Sequence, residues 1–122
     1  MKTRDQRYAQ SAWDRVSQVD QPLRDKYGAM AHQLPILILS AGLTQALAFV
    51  DSRKDAACDA LLDDVAHTIG LSNRATLRSQ SHTLSLQEYM WLTQQVLAAL
   101  LWYKRFAESV MNVDTRKSGV LS

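Results

Sequence analysis

The sequence lacks the features that disulfide-rich, collagen-like and membrane-spanning proteins require. It contains one cysteine, Cys58, so the chain can form no internal disulfide and no multi-cysteine zinc site. Its longest apolar runs, residues 35–39 and 96–103, are far shorter than the roughly 20 residues of a membrane-spanning helix. The first ten residues are polar and charged, unlike a signal peptide. We therefore expect a cytoplasmic protein.

Glycine, proline and excess charge are also scarce. Four glycines and two prolines in 122 residues favour helices joined by short turns. The 14 basic and 12 acidic residues give a net charge of +2, which permits nucleic-acid binding without requiring it. The sequence predicts an all-α fold, a compact bundle of about five helices with a buried central helix and a long C-terminal helix. We expect one domain over residues 1–111 and a polar, flexible tail over residues 112–122.

Two capping boxes predict helix starts. Thr3 with Gln6 opens a first helix that runs to about residue 20, and Ser85 with Glu88 opens a long last helix through about residue 111. The apolar positions of the first helix recur at helical spacing: Tyr8, Ala9, Ala12, Trp13, Val16 and Val19.

Between these ends the pattern is less regular. Pro22 is suited to begin a second helix through residue 33, and Pro35 is expected to restart the chain. Residues 36–50 are almost all apolar, which predicts a central helix buried on every side. Residues 56–69 form an amphipathic helix with an acidic outer face, closed by Gly70. Residues 71–84 are polar and weakly periodic, so we expect a loop with at most one short helical turn.

No set of residues predicts catalysis. The glycines are far apart and form no phosphate loop, and the three histidines lie on three different predicted segments. Asp59 and Asp63 share a helix face, but a solvated surface is their simplest interpretation. Cys58 lies between Ala57 and Asp59, without a neighbouring base. We name no catalytic residue and expect no metal and no cofactor.

A basic edge is the first feature that indicates a function. On a helical wheel Arg4, Arg7, Ser11 and Arg15 share one stripe, and guanidinium groups match phosphate geometry. Further basic pairs occur along the chain, each as consistent with a solvated surface as with binding: Arg53 and Lys54, Arg74 and Arg78, and Lys104 and Arg105.

Two tryptophans of the last helix are the second such feature. Trp91 and Trp102 are eleven residues apart and project away from the face that Leu92, Val96 and Leu100 form. Exposed tryptophans are typical of contact surfaces, whereas coverage by another helix of the bundle would explain them equally well. We predict a partner interface at both residues.

Several blocks of sequence together resemble a known family. They are Arg-Tyr-Ala-Gln-Ser-Ala at residues 7–12, Leu-Pro at 34–35, Gly-Leu at 42–43 with Gln-Ala-Leu-Ala-Phe at 45–49, Glu-Tyr at 88–89, and Leu-Trp-Tyr-Lys-Arg-Phe-Ala-Glu at 101–108. In this order they resemble the small subunit of the type III-B (Cmr) CRISPR effector, and the resemblance runs from about residue 4 to residue 111.

The resemblance implies a non-catalytic helical subunit of an antiviral ribonucleoprotein. Its expected partners are further copies of itself in a minor filament, the backbone and large subunits of the complex, and the guide and target RNA, with no membrane. Within the matching blocks the basic residues are Arg7, Lys104 and Arg105, which become the first candidates for phosphate contact. Wheel geometry adds Arg4 and Arg15, and the charged turn adds Arg53 and Lys54.

Two other functions stay open from the residues alone. A helix-turn-helix DNA-binding regulator would suit a small, slightly basic helical chain, with its turn at residues 70–73 followed by Arg74 and Arg78. A metal-dependent nuclease would use Asp59, Asp63 and His67. The first predicts a preference for duplex DNA of defined sequence, and the second predicts activity that depends on Asp63.

Overall fold

The computed structural model describes residues 1–110, and all of their regular structure is helical. This confirms the all-α prediction, with six α-helices rather than about five. They are α1 (Arg4–Ser17), α2 (Arg24–Ala41), α3 (Leu43–Ser52), α4 (Ala56–Thr68), α5 (Arg74–Thr83) and α6 (Leu86–Ser109), with a single 3-10 turn at Gln21–Leu23 before α2. The tail predicted over residues 112–122, and the predicted helix end near residue 111, lie outside the described residues.

Both predicted capping boxes are present. The Thr3 hydroxyl accepts from the Gln6 backbone N–H at 3.1 Å, and the Gln6 side chain accepts from the Thr3 N–H at 2.8 Å. Ser85 and Glu88 make the same reciprocal pair at the start of α6. Each box provides partners for backbone N–H groups that have none within the helix. The first helix ends at Ser17, somewhat before the predicted residue 20.

The predicted central helix over residues 36–50 is wrong in its bounds. Helix α2 continues through Pro35, and the chain breaks instead at Gly42, which has φ +89° and ψ 159°. Pro35 removes one N–H donor and crowds the preceding turn, but burial of Leu34 and Ile38 on either side of it favours continuation of the helix. Gly42 adopts a backbone conformation that side chains with a Cβ rarely tolerate, so it separates α2 from α3.

The same segment is not buried on every side. Ile36, Leu39 and Phe49 are 62%, 75% and 44% exposed, respectively. Their inward neighbours are buried: Leu34, Ile38, Leu43, Leu47 and Val50. The segment therefore has more apolar residues than the core of this chain buries.

The predicted loop over residues 71–84 is mostly helix α5. Asn73 caps it, because its side-chain oxygen accepts from the Thr76 backbone N–H at 2.9 Å. Only Leu77 among its apolar residues is fully buried. The polar surface of this helix explains why the sequence shows weak periodicity there.

The core draws on every helix. Helix α6 packs against both α1 and α2, and α4 packs against α2, α1 and α5. Among the largest fully buried side chains are Tyr27 of α2 and Tyr103 of α6, whose rings lie 6.5 Å apart. In residues 1–110 no helix is both long and apolar enough to cross a membrane.

Candidate nucleic-acid interface

A buried polar network fixes the face of α1 that carries the predicted arginines. The Tyr27 hydroxyl donates to Asp64 Oδ2 at 2.6 Å, and the Tyr103 hydroxyl donates to the Asp64 backbone oxygen at 2.9 Å. Thr68 connects this pair to α1, since its hydroxyl lies 2.6 Å from that of Tyr103 and 2.7 Å from that of Ser11. Helices α1, α2, α4 and α6 are thereby joined through one set of hydrogen bonds.

Burial dominates the electrostatics of this network. Withdrawal from water raises the pKa of the Asp64 carboxyl, although the Tyr27 hydroxyl and Arg15 oppose the shift. Burial and the neighbouring carboxylate likewise raise the pKa of Tyr27. Arg15 Nη1 lies 3.5 Å from Asp64 Oδ1, so part of the charge of this guanidinium is neutralised within the chain.

The predicted arginine stripe of α1 divides in the structure. Arg7 and Arg15 line a cleft of about 550 Å³ between α1 and the end of α4, together with Lys2 and His67. We call this the cationic cleft. Arg4 instead lies 5.5 Å from the ring centre of Tyr8 and 3.6 Å from the Asp5 carboxylate.

The other predicted cations occupy two separate places. Arg53 follows the end of α3, with its guanidinium 5.8 Å from the ring centre of Phe49, and Lys54 has a positive φ of 52° in the same turn. Arg105 of α6 lies 5.4 Å from the ring centre of Trp102. Lys104 is exposed beside them. Contact with an aromatic face holds a guanidinium in place while leaving its charge available.

The two predicted interface tryptophans have different surroundings. Trp91 is 59% exposed and borders a shallow groove of about 420 Å³ with Met90, which is 55% exposed. Trp102 is partly buried, packs against the core, and lies 5.7 Å from the ring of Phe106. A neighbouring part of the same chain thus covers Trp102 in part, whereas Trp91 belongs to an exposed apolar patch.

The acidic face of α4 is bound by α5. Arg74 Nη1 lies 2.8 Å from Asp63 Oδ2, and Arg74 Nη2 lies 3.8 Å from Asp59 Oδ2. We interpreted these carboxylates as a solvated surface, and they are instead paired. No group of three potential metal ligands occurs within residues 1–110. The pairing gives the nuclease alternative no support.

The same ion pairs bear on the helix-turn-helix alternative. A recognition helix needs side chains that can reach base edges. Arg74 is held by Asp63, and Arg78 Nη1 lies 2.7 Å from Asp51 Oδ1. Because both guanidinium groups are engaged within the chain, α5 offers little for reading DNA.

Cys58 has no features of a nucleophile. It is a buried free thiol, and burial, reinforced by Asp55 and Asp59, raises its pKa. His32 is similarly unsuited to act as an exposed base. Its Nε2 lies 2.9 Å from Glu108 Oε1 without the alignment of a hydrogen bond, and burial lowers the pKa of its imidazole.

Sequence reasoning missed two side chains of this surface. Lys2 precedes α1 and lines the cationic cleft, and Trp13, which we assigned to the apolar face, is 48% exposed. On a helical wheel Trp13 lies beside the polar Gln6, at the edge of the buried arc. This position could have indicated that Trp13 is partly exposed.

Comparisons with known proteins agree on one family. A family model described as "CRISPR-associated protein (Cas_Cmr5)" matches residues 4–110. The chain is similar to the "CRISPR system Cmr subunit Cmr5" of Thermus thermophilus, with 42% identity over 112 residues, 91% of this chain and 98% of that protein. A crystal structure of a CRISPR-associated Cmr5 family protein from Thermus thermophilus is also similar, with a TM-score of 0.84, 41% identity, and coverage of 91% of this chain and 99% of that one.

Proposed function

This chain belongs to the Cmr5 family of CRISPR-associated proteins, and we propose that it is a non-catalytic structural subunit of a type III-B CRISPR ribonucleoprotein in the cytoplasm. Its copies align in a minor filament, beside the backbone subunits and against the large subunit. The filament supports pairing between guide and target RNA in antiviral defence, and the chemistry of target cleavage belongs to other subunits.

One observation carries the RNA-binding part of the proposal, namely which cations are neutralised within the chain. Lys26, Arg74 and Arg78 lie within 4 Å of carboxylates. By contrast, five of the seven predicted contact residues have no carboxylate partner at that distance among residues 1–110: Arg7, Arg53, Lys54, Lys104 and Arg105. Cations that remain unneutralised at a surface are those that can exchange counterions for phosphates.

The modest net charge of +2 fits this role in an array. A single copy offers only a few phosphate contacts, so its own affinity for RNA is low. Copies aligned along one RNA add these contacts within one assembly and raise the effective concentration of each site. Sequence recognition comes from guide–target pairing, as in RNA-guided effectors generally, and the subunit contacts the backbone.

Trp91 supports the partner-interface part of the proposal. An exposed tryptophan beside Met90, which is 55% exposed, forms the kind of apolar anchor that interfaces bury. Trp102 adds its remaining exposed edge to this interface, and its ring holds the Arg105 guanidinium in position.

The test is reconstitution of the effector with variants of this subunit, followed over a salt series. We expect Arg7→Glu and Lys104→Glu to weaken target-RNA retention and flatten its salt dependence, because each removes a phosphate contact. Lys26→Glu is the matched control, since it makes the same charge change at a cation that is already paired with Asp55. Circular dichroism checks that each variant is folded. Equal retention in all the variants would refute the RNA-binding role.

The same reconstitution tests the interface. Trp91→Ser should reduce incorporation of the subunit into the complex, and Trp102→Ser should reduce it less because Trp102 is already partly covered. Normal incorporation of both variants would remove these residues from the proposed interface.

A further inference from the structure

A second cleft lies next to the cationic cleft along α1. It measures about 490 Å³ and is bordered by Trp13 of α1 and Phe106 of α6. Lys2 and Gln10 line both clefts, so the two adjoin across the exposed face of α1. One side of this face is cationic and the other is aromatic.

Trp13 is held in position but not covered. Its ring lies 5.3 Å from that of Phe106 at an interplanar angle of 89°, an edge-to-face contact. Nearly half of the residue remains exposed, at 48%. The indole is therefore both oriented and exposed, and it offers a rigid contact area at little entropic cost.

We propose that Trp13 is a stacking platform for one base of a single-stranded RNA whose neighbouring phosphate enters the cationic cleft. Arg7 and Lys2 would contact that phosphate, and Gln10 lies at the border between base and backbone. This inference rests on the proposed function and adds to it a residue and a mode of contact. Paired bases are unavailable for such stacking, so the site selects single strands.

One carboxylate works against the phosphate contact. Asp14 also lines the cationic cleft, where the Gln10 side-chain amide donates to it at 3.0 Å. Its charge offsets part of the attraction from Lys2 and Arg7. The site therefore holds RNA weakly on its own, and stacking supplies the part of the affinity that does not depend on salt.

The experiment separates stacking from charge by comparing two ligands. The full-length chain is titrated at low ionic strength with a labelled pentauridylate and with an abasic ribose-phosphate oligomer of the same length, and binding is read by fluorescence anisotropy. We expect the pentauridylate to bind at least about fivefold more tightly. Trp13→Ala should abolish that preference, and Trp13→Phe should retain part of it.

Leu39→Ala is the control, because it removes an apolar side chain of α2 that is 75% exposed and borders neither cleft, and it should leave the preference unchanged. Asp14→Asn tests the cleft without touching the core, and it should tighten binding of both oligomers by a similar factor. A preference that persists in Trp13→Ala, or a wild-type chain with no preference, would overturn the stacking proposal. Neither result would refute the proposed function, because the reconstitution with Arg7→Glu and Lys104→Glu tests that function separately.

Discussion

Removing one hydroxyl from the core tests how much the buried network stabilises the fold. Tyr27 is fully buried, and its hydroxyl donates to Asp64 Oδ2 at 2.6 Å, where the carboxylate side chain is 15% exposed. Tyr27→Phe keeps the ring and its packing and deletes only the donor. The variant therefore measures the hydrogen bond rather than a cavity.

The expected loss follows from the acceptor's charge. Hydrogen bonds to charged groups contribute about 1.5–3 kcal/mol to stability, and here the deletion also leaves a buried carboxylate with one donor fewer. Arg15, at 3.5 Å and partly exposed, compensates little. We expect the free energy of unfolding to fall by about 2 kcal/mol near neutral pH.

The loss should depend on pH. Burial raises the pKa of Asp64 and the Tyr27 hydroxyl opposes the shift, so Tyr27→Phe raises that pKa further. A carboxyl whose folded-state pKa is raised contributes stability that is present below its unfolded-state pKa and is lost as pH rises through the folded-state value. The difference between wild type and variant should therefore be largest above the pKa of Asp64 and shrink on acidification.

Urea unfolding followed by circular dichroism, at several pH values, measures this difference. Tyr8→Phe is the control, since Tyr8 is buried at 5% exposure and its hydroxyl has no hydrogen-bond partner among residues 1–110. It should change stability by less than about 0.5 kcal/mol. A Tyr27→Phe loss no larger than that of the control, or one that grows on acidification, would refute the reasoning.

Two further substitutions test local features of the chain. Gly42→Ala should lower the free energy of unfolding by about 1–3 kcal/mol in urea titrations, because φ +89° with ψ 159° is a backbone conformation that essentially only glycine adopts. Gly70→Ala, at φ +95°, should also lower it, and unchanged stability of both variants would contradict the argument from backbone strain. Asn73→Ala should cost about 1 kcal/mol through loss of the α5 cap, and Asn73→Asp should restore most of it, whereas equal stability of both variants would show that the cap is dispensable.

Local signals predicted the starts of α1 and α6 well. Each capping box, at Thr3 and at Ser85, spans only four consecutive residues, and both partners of its hydrogen bonds lie within that span. The all-α class follows similarly from composition and spacing. These features depend on neighbours in the chain, and for this reason the sequence alone was sufficient.

The errors arose where distant contacts decide the structure. Helix α5 was missed because only Leu77 among its apolar residues is fully buried against the rest of the bundle, so the segment shows little hydrophobic periodicity. We predicted the helix break at Pro35, whereas the chain breaks at Gly42. A proline is a local signal for a break, but packing of the surrounding residues in the core can keep a helix continuous across it.

The candidate site was predictable in part. Wheel geometry brought Arg7 and Arg15 together, and both line the cationic cleft. It could not show that Arg15 is partly committed to Asp64, a residue of another helix. Nor could it show that Trp13 stays half exposed, since that depends on how closely α6 approaches α1.

The hydrogen-bonded chain from Ser11 through Thr68 and Tyr103 to Asp64 and Tyr27 also has a consequence for assembly. Directional bonds across four helices restrain each helix from rolling or sliding against its neighbours. In the filament that we propose, an angular error repeated at each copy would accumulate along the length and displace the bound RNA from the guide. In the proposed filament, a polar core of this kind would keep the spacing of successive copies uniform.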